Sequence, residues 1–251
     1  MQVIIPMSGT GERFKKAGYK TPKPLIEVEH KPIIAHVVER FSKEDSFIFI
    51  CNEEHIRTTN MKEILSNLAP KHKILTIPPH KKGPVFAVSQ VNDYIENEEP
   101  TIVNYCDFSW RWDYKEFQSE VFKNHCDGCV VSYKGFHPHL LHPNFYASMK
   151  ESSPNWMEEI REKHSYTENK MDSFQSSGTY YFRSGNIVKK YFTKLLESGN
   201  EINGEYYVSL VYNELKKDDL NIYIYEIPYM LQWGTPEDLE EYLYWSKYFL
   251  S

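Results

Sequence analysis

Long apolar runs are missing from this 251-residue sequence, and no stretch of about eighteen apolar residues is available to cross a membrane as a helix. Cysteines are few: Cys126 and Cys129 form a single Cys-x-x-Cys, with no second pair at the spacing of a zinc site. The basic segment and cleavage site of a secretory signal are also missing. From these absences we expect reduced thiols and a cytoplasmic location.

Basic residues are also fewer than acidic residues. The chain has 35 acidic residues against 29 Lys and Arg, for a net charge of -6. An acidic protein offers no electrostatic reason to bind nucleic acid, so any phosphate site must be a local basic pocket. The Gly-x-Ser-x-Gly elbow of serine hydrolases does not occur, and that chemistry has no support either.

Short apolar segments alternate with helical patterns through the first half of the chain. Strands are predicted at 3–6, 47–51, 73–77 and 101–105, with helices at 32–41, 55–68 and from residue 84. This alternation predicts an α/β fold with a mostly parallel, doubly wound sheet and helices on both faces.

After residue 107 the alternation becomes less regular. Helices are predicted near 114–125, 186–196, 205–215 and 237–248, and strands at 129–133, 156–162, 177–183 and 222–228. The segment 137–155 is rich in His, Pro and Asn and is predicted to be loop with short strands. No repeat or linker divides the sequence, so we expect one domain over residues 1–251.

A glycine-containing loop follows the first predicted strand. It reads Met7-Ser8-Gly9-Thr10-Gly11-Glu12-Arg13. Gly9 and Gly11 allow positive φ and close approach of the backbone to a ligand. Their amides, with the hydroxyls of Ser8 and Thr10, can form an anion-binding nest.

Two basic residues accompany this loop: Arg13 offers a planar fork of donors to a phosphate, and Lys23 offers a movable point charge. A P-loop would need Lys-Ser or Lys-Thr after the last glycine, and a dinucleotide fingerprint would need a third glycine at Phe14. An ordinary glycine turn with a solvated arginine is the remaining alternative. The position of Lys23 between Pro22 and Pro24 favours a triphosphate cradle, because the prolines restrict the backbone there.

The segments 9–13, 22–26 and 31–34 together resemble the opening of the sugar-phosphate nucleotidyltransferases. These enzymes join a nucleoside triphosphate to a phosphorylated small molecule and release pyrophosphate. The resemblance is nearest to a bacterial capsule-biosynthesis branch that includes a CTP:phosphoglutamine cytidylyltransferase. It implies a Rossmann-like sheet, with a nucleotide-binding half at 1–113 and an acceptor-binding half at 114–251.

The resemblance also implies roles for individual residues. Lys23 and Arg13 would be catalytic. The nucleotide would be bound by Met7, Ser8, Gly9, Thr10, Gly11, Lys23, Lys82, Gly83 and Pro84. The acceptor would be bound by Glu162, Lys163, Gly178 and Glu205.

Asp107, after the strand at 101–105, resembles the aspartate that holds Mg²⁺ on the α-phosphate in this family. Mg²⁺ prefers octahedral oxygen sites with few protein carboxylates. A helix cap is the structural alternative. Gln232 departs from the family pattern, since many members place a second metal-binding aspartate there. Glu226 is a candidate substitute, so a two-metal site is in doubt.

The sequence pattern is least specific about which nucleotide base and which acceptor the protein binds. The resemblance favours CTP and a phosphorylated acceptor such as phosphoglutamine, used for capsule polysaccharide precursors. His137, His139 and His142, with the aromatic residues between Phe136 and Phe145, are predicted to line a pocket for an acceptor other than a hexose. The oligomeric state is not predicted.

Three alternatives stay open. One is a sugar-1-phosphate nucleotidyltransferase that makes a UDP-, dTDP- or GDP-sugar. Another is a non-catalytic nucleotide-binding subunit, suggested by Gln232. The third is a glycosyltransferase, although Asp107-Phe108-Ser109 lacks the second acid of Asp-x-Asp.

Overall fold

The computed structural model describes residues 1–143 and 146–250. In the first half, strands and helices alternate as the pattern predicts. The elements are β1 (Gln2–Met7), α1 (Glu12–Lys16), β2 (Glu27–Val28), β3 (Lys31–Pro32), α2 (Ile33–Val38), β4 (Ser46–Asn52), α3 (Glu53–Thr58), α4 (Met61–Leu68), β5 (His72–Ile77), α5 (Gly83–Ser89) and β6 (Thr101–Asn104).

The second half contains more strands and fewer helical crossovers. Its elements are β7 (Phe108–Arg111), α6 (Tyr114–Lys123), β8 (Gly128–Tyr133), β9 (Ser148–Ser153), β10 (Trp156–Arg161), β11 (Phe174–Phe182), α7 (Gly185–Ser198), α8 (Val208–Lys217), β12 (Ile222–Glu226), β13 (Tyr229–Gln232) and α9 (Pro236–Leu250). Four short 3-10 helices at 23–25, 92–94, 138–141 and 170–172 complete the described secondary structure.

The central sheet has the order β5-β4-β1-β6-β11-β8-β12-β10-β9. From β5 to β6 every pairing is parallel, as predicted. The prediction of a mostly parallel sheet holds only for this half, because β11 runs antiparallel to both β6 and β8. Between β8 and β11 the described chain has no α-helix to serve as a crossover, and strands joined without one generally reverse direction.

Helices cover both faces of the sheet, as predicted. Successive side chains of β1 point to opposite faces, so Ile4 enters one core while Val3 and Ile5 enter the other. The continuous apolar run of β4 is buried from Phe47 to Asn52, as expected for a parallel strand covered on both sides. These two cores hold the carboxyl ends of β1 and β6 side by side.

The structure differs from the prediction at two helices. The helix predicted over 55–68 is divided into α3 and α4, because Thr59 is extended, with φ at -136° and ψ at 173°. The helix predicted from residue 205 begins at Val208. Residues 203–207 instead form a turn that packs against the loop before α5.

A two-stranded sheet, β7 with β13, was missed by the sequence analysis. Its antiparallel register places Gln232 opposite Phe108. The Trp233 amide donates to the Asp107 carbonyl at 3.1 Å. The two strands are far apart in sequence, and their pairing brings the segment around Gly234 to the carboxyl end of β6.

Candidate active site

Two adjoining cavities open at the carboxyl ends of β1 and β6. The first has a volume of about 670 Å³ and the second about 570 Å³. Both are lined by Arg13, Tyr105, Asp107, Tyr207 and Gly234. This common wall gives two ligands a place to meet.

The glycine loop forms one side of the first cavity. Met7, Ser8, Gly9, Thr10 and Gly11, which were predicted to bind the nucleotide, all line it. Gly11 has φ at +65° immediately before α1, a conformation that favours glycine. Apart from the glycine itself and its chain neighbours, no atom of the described residues lies within 4 Å of a Cβ built on Gly9 or Gly11, so the backbone of the loop is open to a ligand. This arrangement is compatible with an anion-binding nest.

Lys23 and Asp107 meet at the common wall. Lys23 Nζ lies 2.6 Å from Asp107 Oδ2 and donates to the Gly234 carbonyl at 3.0 Å. The side chains are only 17% and 23% exposed, and the ammonium lies 5.4 Å from the centre of the Phe14 ring. The structure therefore brings together the lysine and the aspartate that the sequence analysis singled out separately.

The loop before α5 contributes Lys81 to the first cavity, and the first turn of α5 contributes Gly83 and Pro84. Gly83 has φ at +82°, and a Cβ there would lie 2.7 Å from the backbone nitrogen and oxygen of Tyr206. Glycine is required at this position by both the conformation and the packing. The predicted contribution of Lys82 is different in the structure: its ammonium lies over the Phe86 ring at 4.8 Å.

Glu205 lies on the first cavity, beside the loop before α5. The sequence analysis had placed it in the acceptor pocket. The difference follows from the packing of the 203–207 turn, in which the Tyr206 amide donates to the Lys82 carbonyl at 3.0 Å. Glu205 is thereby located on the side of the predicted nucleotide site.

Glu162 and Lys163, which were predicted to bind the acceptor, line the second cavity. The Ser209 hydroxyl, in the first turn of α8, donates to Glu162 Oε1. Burial raises the pKa of the Glu162 carboxyl above its ordinary value, opposed by the bond from Ser209 and the charge of Lys163. The cavity thus combines a buried carboxyl with an adjacent ammonium.

Gly178 also lines the second cavity, at an irregularity in the pairing of β11 with β8. Its φ is +91°, and a Cβ would lie 2.6 Å from the Phe108 ring. The absence of a side chain therefore makes room for Phe108 and Tyr105, whereas the sequence analysis had expected room for the acceptor.

Gln232 and Asp107 flank Gly234. A Cβ built on Gly234 would lie 3.0 Å from Gln232 Nε2 and 3.2 Å from Asp107 Oδ2. Gln232 Oε1 is buried and has no hydrogen-bond partner among residues 1–143 and 146–250. A carboxylate and an unpaired amide oxygen on the two side chains that flank Gly234 are ligand types compatible with a cation such as Mg²⁺. Glu226 is exposed at the end of β12 and lines neither cavity, whereas Asp107 lines both.

The predicted histidine pocket is wrong in its details. His139 Nε2 bonds to the Tyr133 hydroxyl at 2.9 Å behind the second cavity, and Tyr133 and Tyr146 form the wall instead. His137 packs on Tyr133, and His142 bonds to Glu241 at 2.8 Å. Phe145 lies outside the described residues. His137 and His139 are buried against Tyr133, whereas His142 is partly exposed.

Sequence reasoning missed Tyr105 and Tyr207 of the common wall, and also His80. His80 lines the first cavity and lies 2.9 Å from Ser8 Oγ. The Pro-Pro-His sequence before Lys81 was the available signal, but a single histidine in a loop has no distinctive spacing. The described residues contain no cluster of three or more His, Cys, Asp or Glu suited to a metal.

Within the described residues, no helix combines the length and apolarity needed to span a membrane.

Several solved structures share the fold over nearly the whole chain. They include a nucleoside-diphosphate-sugar pyrophosphorylase from Vibrio cholerae RC9, with 20% identity, 96% of this chain and 99% of that chain covered, and a TM-score of 0.77. An inositol-1-phosphate CTP transferase from T. maritima has 15% identity, 98% and 95% coverage, and a TM-score of 0.71. A UDP-glucose pyrophosphorylase in complex with UDP-glucose has 17% identity, 98% coverage of each chain and a TM-score of 0.73.

At these identities the likeness concerns the fold. Among curated protein sequences, none matches this chain significantly. The sequence profile described as "Nucleotidyl transferase" matches residues 2–224, which include both cavities' principal side chains from the glycine loop through Glu162 and Glu205. With the profile extending over most of the sequence and the fold agreeing with it, the chain belongs to the nucleotidyl transferase family.

Proposed function

We propose that the protein transfers a nucleoside monophosphate from a nucleoside triphosphate to a phosphorylated small molecule and releases pyrophosphate. The observation that carries the proposal is the common wall of the two cavities, to which Arg13 and Asp107 contribute. A triphosphate in the first cavity and an acceptor in the second would meet there. Holding two anions in contact is the principal catalytic task of such a reaction.

In the proposed reaction, an oxygen of the acceptor phosphate forms a bond to the α-phosphorus. The bond from the α-phosphorus to the bridging oxygen of the β-phosphate breaks, and pyrophosphate leaves. The acceptor phosphate is already largely ionised at neutral pH, so this step requires no general base. Catalysis then depends on positioning and on neutralisation of charge.

The side chains at the common wall suit these requirements. The amides of the glycine loop would hold the phosphates, and Arg13 and Lys23 would stabilise the negative charge that moves onto pyrophosphate. Lys23 would exchange its present bond to Asp107 for a bond to a phosphate oxygen. Asp107 would then become available to a cation.

Asp107 and Gln232 Oε1 are the protein oxygens that would hold Mg²⁺. The ion would supply Lewis-acid stabilisation of the phosphate oxygens when bound. One carboxylate and one amide make a weak protein site, so most of the remaining ligands would come from the triphosphate and water. This donor set favours a cation that arrives with the nucleotide.

On the acceptor side, Lys163 would hold the attacking phosphate. The buried carboxylate of Glu162 would offer a counter-charge to an ammonium group or an acceptor for hydroxyl donors. An amino-acid-derived acceptor carries both a phosphate and an ammonium, and this complementarity supports phosphoglutamine. A sugar-1-phosphate remains the competing acceptor.

We propose CTP as the donor, in the synthesis of a capsule polysaccharide precursor. This proposal depends on the resemblance of segments 9–13 and 22–26 to the capsule branch. The fold similarity to an inositol-1-phosphate CTP transferase is compatible with a cytidine nucleotide. Loops that bind pyrimidines have the same sequence features for CTP, UTP and dTTP, so experiment must assign the base.

The test is pyrophosphate release from CTP, UTP, dTTP and GTP, each combined with phosphoglutamine, glucose-1-phosphate or inositol-1-phosphate in the presence of Mg²⁺. We expect CTP with phosphoglutamine to have the highest kcat/KM. A higher value for glucose-1-phosphate with UTP, dTTP or GTP would overturn the specific assignment and leave the reaction class intact. Nucleotide binding without pyrophosphate release from any pair would favour the non-catalytic alternative.

A further inference from the structure

His80 connects the two loops that line the first cavity. Its Nε2 lies 2.9 Å from Ser8 Oγ on the glycine loop, and its Nδ1 accepts a bond from the Lys82 amide at 3.2 Å. Gly9 and His80 also form an isolated parallel bridge through their backbones. One imidazole therefore bonds to both predicted nucleotide-binding loops.

The bond from Lys82 determines the tautomer of His80. A backbone N–H can only donate, so Nδ1 must be the unprotonated ring nitrogen. Nε2 then carries the hydrogen and donates it to Ser8 Oγ. Burial, followed by the charge of Lys82, lowers the pKa of His80, and both effects favour this neutral form.

The His80 ring and Ser8 each make a further contact with a neighbouring element. His80 packs edge-on against Phe86 of α5, with the ring centres 4.8 Å apart. The Ser8 carbonyl accepts a bond from Asn52 Nδ2 at 3.3 Å, at the end of β4. The contact from His80 to Ser8 thus lies between two anchored elements and, together with the backbone bridge of Gly9 and His80, joins the two loops.

We infer that His80 is a positioning residue that acts through Ser8 to hold the glycine loop at the separation required by the nucleotide. This inference rests on the proposed function, because it assumes that a triphosphate binds between the loops. Loss of the contact would raise the entropic cost of ordering the glycine loop around the phosphates. Affinity for the nucleotide would fall, whereas the chemistry at Lys23 and Asp107 would be retained.

The test compares His80→Asn, Ser8→Ala and the double variant with wild type. Asn keeps an oxygen for the Lys82 amide but is too short to reach Ser8. We expect each single variant to raise KM for the triphosphate about tenfold, as loss of one hydrogen bond would, with kcat within about twofold. The double variant is expected to be no worse than Ser8→Ala, because His80 acts only through the Ser8 hydroxyl, which Ser8→Ala already removes. His80→Gln, whose amide can still donate to Ser8, is expected to restore part of the affinity.

The matched control is His72→Gln. His72 Nε2 makes a comparable contact to Ser66 Oγ at 3.2 Å, on α4 and away from the cavities. This variant is expected to leave KM unchanged. Hydrogen exchange of the free protein gives a second readout: the amides of residues 8–11 and of Lys82 are expected to exchange faster in His80→Asn and Ser8→Ala, but not in His72→Gln.

Additive losses in the double variant, of about a hundredfold, would show that His80 acts on the nucleotide independently of Ser8 and would overturn the inference. Faster hydrogen exchange of these amides with an unchanged KM for the triphosphate would show that the contact between His80 and Ser8 is only structural. That result would overturn the inference as well. If wild type releases pyrophosphate and the His80 variants have the same KM for the triphosphate as wild type, this inference alone fails. If wild type neither binds nor converts any of the four triphosphates, the proposed function fails with it.

Discussion

At the scale of single residues, the Lys23–Asp107 pair is the most informative contact of the site. The residues are 84 positions apart, yet their charged atoms are 2.6 Å apart at the wall between the cavities. Each is a counter-charge for the other in the free protein. A bound triphosphate would offer Lys23 an anion of higher charge than the Asp107 carboxylate. Asp107 would then be free to bind a cation, so the pair would connect nucleotide binding with metal binding.

Replacing Lys23 with Ala is expected to lower the rate of pyrophosphate release about a hundredfold or more, since a preorganised cation would be lost from the site of charge development. The fold should persist, because the side chain lies on a cavity wall. Lys16→Ala, on the exposed side of α1, is the matched control and should behave as wild type. Near-normal release by a folded Lys23→Ala protein would remove Lys23 from the mechanism.

Asp107→Asn is expected to abolish Mg²⁺-dependent turnover while weakening nucleotide binding much less. The glycine loop still holds the phosphates in this variant, but the only carboxylate proposed to contact the ion is gone. Titration with Mn²⁺ in the presence of the triphosphate measures the metal affinity separately from activity. An unchanged titration would place the metal elsewhere.

At the scale of secondary-structure elements, glycines allow loops to pack where side chains would collide. The loop before α5 packs directly on the 203–207 turn, and the Val85 amide bonds to the Tyr206 carbonyl at 3.2 Å. This packing brings Glu205 to the nucleotide side of the site. The position of α5 is therefore coupled to a turn more than a hundred residues later.

The pair Gly83→Ala and Gly135→Ala tests this packing. Both glycines have φ at +82°, so each alanine has a conformational cost of about 1–2 kcal/mol. Only at Gly83 would the new Cβ also meet backbone, since nothing lies within 4 Å of a Cβ at Gly135. We expect Gly83→Ala to have the larger loss in the free energy of unfolding, measured in urea, and a raised KM for the triphosphate. Equal losses in the two variants would contradict the packing argument.

At the scale of the whole molecule, buried histidines make stability depend on pH. Burial lowers the pKa of His55, His80, His137 and His139, the last to about 3. Between its folded and unfolded pKa values, a histidine binds more protons in the unfolded chain. Each of these histidines therefore lowers the free energy of unfolding as the pH decreases from about 6.5.

His139→Gln is expected to weaken this dependence, because one buried titrating ring is removed while an amide remains to bond to Tyr133. The contribution of His139 is present above pH 6.5 and is lost as the pH falls towards 3, by up to about 1.4 kcal/mol per pH unit. Urea unfolding at pH 7.5 and pH 5.5 measures the difference. His125→Asn, at an exposed position with φ at +46° that Asn tolerates, is the control and should keep the wild-type dependence.

Local sequence by itself determined much of the first half of this protein. The apolar run of β4, the glycine loop after β1 and the prolines around Lys23 are short patterns whose physical effects are local, so their structures could be predicted from neighbouring residues. The alternation of strands and helices likewise predicted parallel pairing from β5 to β6. The glycine loop was predicted to follow the carboxyl end of a strand, where such sheets bind ligands, and in the structure it lines a cavity at that edge.

Tertiary structure alone decided the direction of β11, the pairing of β7 with β13 and the assignment of Glu205 to the first cavity. Each depends on contacts between segments tens to more than a hundred residues apart, whose free energy is not encoded in any local pattern. His137 and His139 show the same limit, since their residue types suggested a ligand pocket while packing buried them against Tyr133. The local chain specified which groups are available for chemistry, and long-range packing determined which of them face one another.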